Sequence, residues 1–79
     1  MIIKAEYVKD YIFKIWFYDG VIKTVDLKSF FDSDLKSIKK FSTPEKIKQF
    51  YLDGDTICWG DNECDIDPNS IYNGEYDIK

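Results

Sequence analysis

Seventy-nine residues sit near the lower limit for burying an adequate hydrophobic core without staples, so one domain is expected over residues 1–79. With 44% hydrophobic and 18% aromatic residues, the chain is too rich in large apolar side chains to stay disordered. The net charge of −4 divides unevenly: residues 1–50 carry ten lysines against seven acids, whereas residues 51–79 carry one lysine against eight. An acidic final third repels a nucleic-acid backbone, which makes nucleic acid an unfavoured partner, and it suits a basic protein.

The opening Met1-Ile2-Ile3-Lys4-Ala5-Glu6 does not read as a signal peptide, because charge interrupts the apolar run at once. Cys58 and Cys64 make a poor disulfide framework, so reduced thiols in a cytoplasmic setting are expected. No stretch approaches the roughly 18–20 apolar residues that a membrane-spanning helix requires.

In chain order, residues 2–8 and 11–18 are rich in β-branched and aromatic types and are separated by Lys9-Asp10, which predicts two strands of an antiparallel meander. In the second run Phe13, Ile15 and Phe17 alternate with Lys14, Trp16 and Tyr18, the period of a half-buried strand. Asp19-Gly20 supplies the turn, Gly20 tolerating positive φ, and residues 21–26 return as a third strand. A two-residue loop would set Phe17 beside Ile22. A three-residue loop with a bulge would set Ile15 beside Val25 and Phe13 beside Leu27, and it is preferred because it puts more apolar mass on one face.

Asp26 is the expected cap of a short helix through Leu27, Phe30 and Phe31. Asp32-Ser33-Asp34 restarts the capping pattern ahead of Leu35, Ile38 and Phe41. Thr43-Pro44 starts a third helix that turns Ile47 inward with Phe50 or Tyr51. Asp53-Gly54-Asp55 is a turn, and Thr56–Trp59 and Cys64–Ile66 form a hairpin around Gly60-Asp61-Asn62. Asp67-Pro68 caps a last helical turn through Tyr72, and residues 73–79 read as a loose tail. The fold class is therefore α+β: a three-stranded antiparallel meander, short helices, and a C-terminal β-hairpin with a final helical turn.

The landmarks Phe17-Tyr18-Asp19-Gly20, Val25-Asp26-Leu27, Ile57-Cys58-Trp59, Asp65-Ile66-Asp67-Pro68 and Ile71-Tyr72, in this order and spacing, resemble a small bacterial family called domain of unknown function 2442. The pattern covers nearly the whole chain. Relatives usually have proline after the tryptophan and reach the aspartate one residue sooner; here Gly60 follows Trp59 and the segment to Asp65 is one residue longer. The resemblance implies an α+β domain with no established activity. It also implies an antitoxin-like role, since some relatives are encoded beside a small toxin-like protein. Other relatives carry a C-terminal helix-turn-helix, and the DNA-reading role of that element is not expected of these residues.

Catalytic chemistry is poorly supplied. There is no histidine, no Gly-x-Ser-x-Gly elbow and no phosphate-binding glycine loop, so no catalytic residue and no cofactor is expected. Asp61, Glu63, Asp65 and Asp67 alternate as calcium ligands do, but an EF-hand loop places glycine sixth and glutamate twelfth, where this chain has Ile66 and Tyr72. No metal is therefore expected, although a metal- or small-ligand-binding domain on the 61–67 segment is the alternative reading. Cys58 and Cys64 read as buried thiols that become cross-strand neighbours if the hairpin registers them so. Lys36, Lys39, Lys40, Lys46 and Lys48 form a solvated helical face without the arginines that nucleic-acid binding favours.

Trp16 lies opposite the apolar face of its strand and needs cover, from another element or from a partner. The expected function is accordingly a non-enzymatic protein-interaction module, with a protein partner such as a small toxin. Trp16, Tyr18, Asp61, Glu63 and Asp65 are its candidate contacts, and Asp19, Gly20, Asp26, Trp59 and Pro68 are structural. The exposed strand edge also leaves pairing with a second copy, as a homodimer, open.

Overall fold

A computed structural model describes residues 1–78. The strands are β1 (Ile2–Lys9), β2 (Ile12–Phe17), β3 (Ile22–Asp26), β4 (Tyr51–Asp53), β5 (Thr56–Trp59) and β6 (Cys64–Ile66). The helices are α1 (Lys28–Phe31), α2 (Lys36–Lys39), α3 (Pro44–Ile47) and α4 (Pro68–Tyr72), each only a turn or so long. They form two antiparallel sheets of three strands, ordered β1-β2-β3 and β4-β5-β6, so the fold is the expected α+β arrangement with the meander first.

The turn after β2 is a three-residue loop, Tyr18-Asp19-Gly20. It is closed by the Phe17 N–H donating to Val21 O at 2.9 Å and the Gly20 N–H donating to Phe17 O at 3.1 Å, with Gly20 at φ +91°. The loop length is the preferred one, but the pairs differ: Phe13 faces Val25 and Ile15 faces Lys23. Three loop residues put Phe17 opposite Val21, and counting back from there fixes the others. The expected pairs lay two residues further along, which preserves the face and leaves Leu27 beyond the strand, where its N–H donates to Tyr11 O at 2.9 Å.

The cap position of α1 is Leu27, one residue later than expected, and its side chain makes no cap bond; Asp26 contributes from just ahead of it, its Oδ1 accepting the Lys28 N–H at 2.9 Å. Thr43 occupies the cap position of α3 without a side-chain bond, so Pro44 alone marks that helix start. α3 ends at Ile47; Phe50 turns inward against Phe13, and Tyr51 belongs to a strand. The C-terminal hairpin thereby gains a third strand, β4, with Asp53 facing Thr56 and Gly54 at φ +64° in the loop.

At the end of the chain, the Asp67 Oδ1 accepts the Asn69 N–H at 2.9 Å and Pro68 opens α4. The segment from Asn73, expected as a loose tail, instead returns to the meander. Asp77 bridges Val25, the Asp26 N–H donates to Tyr76 O at 3.0 Å, and the Lys23 ammonium meets the Asp77 carboxylate at 3.0 Å. The vacant backbone groups along the β3 edge give it a docking place that composition does not reveal. Lys79 lies outside the described residues.

One buried cluster draws on both sheets and the helices: Phe13, Ile15, Phe17 and Val25 from the meander, Leu27 and Phe31 around α1, Ile47 from α3, and Ile57, Trp59 and Ile66 from the second sheet. Trp59 is the hub, with Phe31, Phe30 and Phe13 at centroid distances of 5.1, 6.2 and 6.3 Å. Its indole Nε1 donates to Ile47 O at 2.8 Å, which satisfies both the ring's polar atom and a carbonyl at the end of α3.

Candidate interaction surface

The outer face of the meander follows from the alternation in β2. Phe13, Ile15 and Phe17 are buried on one side, so Lys14 and Trp16 emerge on the other. Pairing places Trp16 between Lys4 of β1 and Ile22 of β3, and Lys14 between Glu6 and Thr24. Among the described residues no aromatic ring stacks on Trp16; its half-buried ring is flanked by the ammonium groups of Lys4 and Lys14, at 4.7 and 5.1 Å from its centroid. Lysine stems cover apolar surface while their charged ends stay in water, so this cover is displaceable. The cross-strand partner of Trp16, Ile22, is 54% exposed, and nearby in the chain Ile3, beside Lys4, is 64% exposed and Tyr18, in the following turn, 73%.

Tyr18 sits in the β2–β3 turn, and the next residue fastens that turn to α4. The Tyr72 hydroxyl donates to Asp19 Oδ2 at 2.6 Å, and the Tyr72 ring meets Phe17 edge-on at 5.0 Å. That hydroxyl, followed by the Val21 N–H, holds the Asp19 carboxyl below its ordinary range, while the same bond raises Tyr72. Asp19 and Gly20 thus hold the turn together, one through its side chain and the other through its backbone.

The second group of candidate residues lies on the other sheet. Asp61 and Glu63 are in the β5–β6 loop, and Asp65 is exposed on β6 opposite Cys58. Glu63 pairs with Lys40 at 2.8 Å, and that bond lowers its carboxyl below the ordinary range. Asp67 is occupied in capping α4. The acids are therefore divided among a loop, a strand face and a helix cap, and among the described residues no three His, Cys, Asp or Glu side chains gather to hold a metal ion. Trp16 and Tyr18 belong to one sheet and the three acids to the other, so the candidates form two patches.

The loop bearing those acids is held by a residue that sequence reasoning assigned elsewhere. The Tyr51 hydroxyl donates to Gly60 O at 2.7 Å and accepts the Asn62 N–H at 2.9 Å. Gly60 at φ +69° and Asn62 at φ +58° both use the left-handed region. A side chain at Gly60 would meet the Phe41 ring at 2.7 Å. The Asp-Gly dipeptide flanked by Leu52 and Ile57 was the signal from which β4, and with it Tyr51, could have been found.

The cysteines are not cross-strand neighbours. Cys64 faces Trp59 and Cys58 faces Asp65, a one-residue offset that sends the two thiols to opposite faces of the hairpin. Both are free and buried. Burial, then Asp65 and Cys58, push the Cys64 thiol up to about 11; burial, then Asp65 and Asp53, raise Cys58. Thiols held protonated in this way are poor nucleophiles.

No helix among the described residues is long and apolar enough to cross a membrane. No curated protein and no solved structure matches the chain. A family model described as protein of unknown function (DUF2442) matches residues 2–77. With the meander, its Asp19-Gly20 turn, the Trp59 hub and the Asp67-Pro68 cap all in place, the chain belongs to the DUF2442 family.

Proposed function

We propose that this chain is a non-enzymatic protein-interaction module of the antitoxin-like kind, acting in the cytoplasm on a small basic protein partner. The observation that carries the reading is the outer face of the meander, where Trp16 pairs with exposed Ile22, near exposed Ile3 and Tyr18 in the chain, beneath lysine stems that a partner can displace. Aromatic side chains of this kind, apolar in body and polar at the tip, supply much of the binding energy of protein interfaces. Asp61, Glu63 and Asp65 add an acidic patch that steers a basic partner during encounter.

Affinity capture of the tagged protein from its native cells tests the reading. A stoichiometric partner is expected with the wild type, and its loss with Trp16→Ala or Tyr18→Ala. Recovery of no partner, or of one indifferent to both substitutions, removes it. A metal or metabolite ligand on the 61–67 segment predicts instead a raised melting temperature when calcium, magnesium or metabolites are added, since a ligand selective for the folded state stabilises it.

A further inference from the structure

The two edges of the meander are in different states. The β3 edge is occupied by the returning C-terminal segment through the Val25–Asp77 bridge and the Asp26 N–H to Tyr76 O bond. The β1 edge has β2 on one side and, among the described residues, no strand on the other. An open edge of eight residues presents a row of backbone donors and acceptors for another strand to pair with.

The sequence of that edge states what fits it. Between the two irregularities of its pairing with β2, the regular stretch is Lys4-Ala5-Glu6-Tyr7. Lys4 and Glu6 both project from the outer face, and their charges are opposite and equidistant from Ala5. Reversing the strand about Ala5 therefore exchanges the position of a cation with that of an anion. A foreign strand has no need of that antisymmetry, whereas an antiparallel copy of the same strand matches it at both positions.

We infer that β1 pairs antiparallel with β1 of a second copy across a two-fold axis at Ala5. Lys4 then stands opposite the second copy's Glu6, and Glu6 opposite its Lys4. The result is one continuous sheet of order β3-β2-β1-β1-β2-β3, with both Trp16 rings on the same face. Exposed Ile3 and Val8 flank the charged pairs and lose solvent contact on pairing. The inference uses the edge of the sheet, and so stands apart from the partner-binding reading of its face.

Charge reversal tests it, because one interface of this symmetry makes a prediction no other does. An interface limited to one strand edge falls in the weak size class, so sedimentation velocity is run over a roughly hundredfold range of protein concentration. Wild type is expected to dimerise with rising concentration. Lys4→Glu and Glu6→Lys each place like charges opposite one another twice, and each is expected to weaken dimerisation by about tenfold or more. Mixed in equal amounts, the two variants are complementary at both positions and are expected to recover the wild-type dimer as a heterodimer. The double variant K4E/E6K is expected to recover it as a homodimer, and far-UV circular dichroism confirms that each variant keeps the fold. A wild type that is monomeric at every concentration, a dimer indifferent to both reversals, or a mixture that fails to recover would each overturn the inference.

Discussion

Trp59 shows how much one side chain can concentrate. It is fully buried, it touches rings from β2 and the α1 region, and its indole N–H closes a carbonyl at the end of α3. Trp59→Phe keeps a ring but leaves the Ile47 carbonyl without its donor, which should cost about 1–3 kcal/mol for the stranded polar group, with a further loss for the unfilled volume. Chemical denaturation of the two proteins checks this. Gly60 and Gly54 make a sharper comparison, because both have positive φ but only Gly60 is crowded, by Phe41 and Glu63. Both alanine variants should lose stability to backbone strain, on the order of 1 kcal/mol, and Gly60→Ala should lose measurably more. Equal losses would mean that the Phe41 ring moves aside freely.

The cysteines give a pH dependence at the same scale. A thiol whose pKa is raised on folding stabilises the folded state fully below its ordinary value of 9.0, and that contribution is lost as pH climbs from there through about 11 for Cys64. The unfolded chain binds fewer protons than the native one in that window, so stability falls with rising pH. Cys58, Tyr72 and Tyr76 are shifted in the same direction and add to the alkaline decline. Denaturant midpoints measured from neutral pH upward should therefore drop beyond pH 9, and Cys64→Ala should flatten the first part of the drop. A midpoint that stays level across the window would contradict the buried, protonated thiol.

At the scale of elements, what could be read from sequence divides by range. Local punctuation was legible: the Asp19-Gly20 turn, the Asp26 contact ahead of α1, Pro44 at the start of α3, and Asp67-Pro68 before α4 each depend on residues within a few positions of one another. Asp67→Ala tests the last of these and should cost about 1 kcal/mol in unfolding experiments, the usual worth of a side-chain cap. The alternation that placed Trp16 on the outer face was equally local, and the structure keeps it there, half-buried. What could not be read were pairings between distant segments. The third strand of the second sheet was hidden because Tyr51 and Leu52 also fit a helix face. The return of Asp77 to Val25 depends on an edge that only the folded meander creates. The offset of the two cysteines turns on the length of the loop over residues 60–63, which sets Trp59 rather than Cys58 opposite Cys64.

On the scale of the whole molecule, the two sheets and four short helices of the described residues enclose one core, and none of those helices is long enough to be stable alone. Helices of a single turn persist only because their apolar residues, Phe31, Ile47 and Ile71 among them, are packed into that core. Unfolding should accordingly be a single transition, with far-UV dichroism and aromatic near-UV dichroism giving coincident midpoints; separate midpoints would show that one sheet survives without the other.

The contrast between the two tryptophans has a practical consequence. One indole is sealed among other rings and the other lies at the outer surface. Intrinsic fluorescence therefore contains a shielded emitter and one that a soluble quencher can reach. Occupation of the outer face should protect the second while leaving the first unchanged, so an unlabelled sample can report docking and melting as separate optical events.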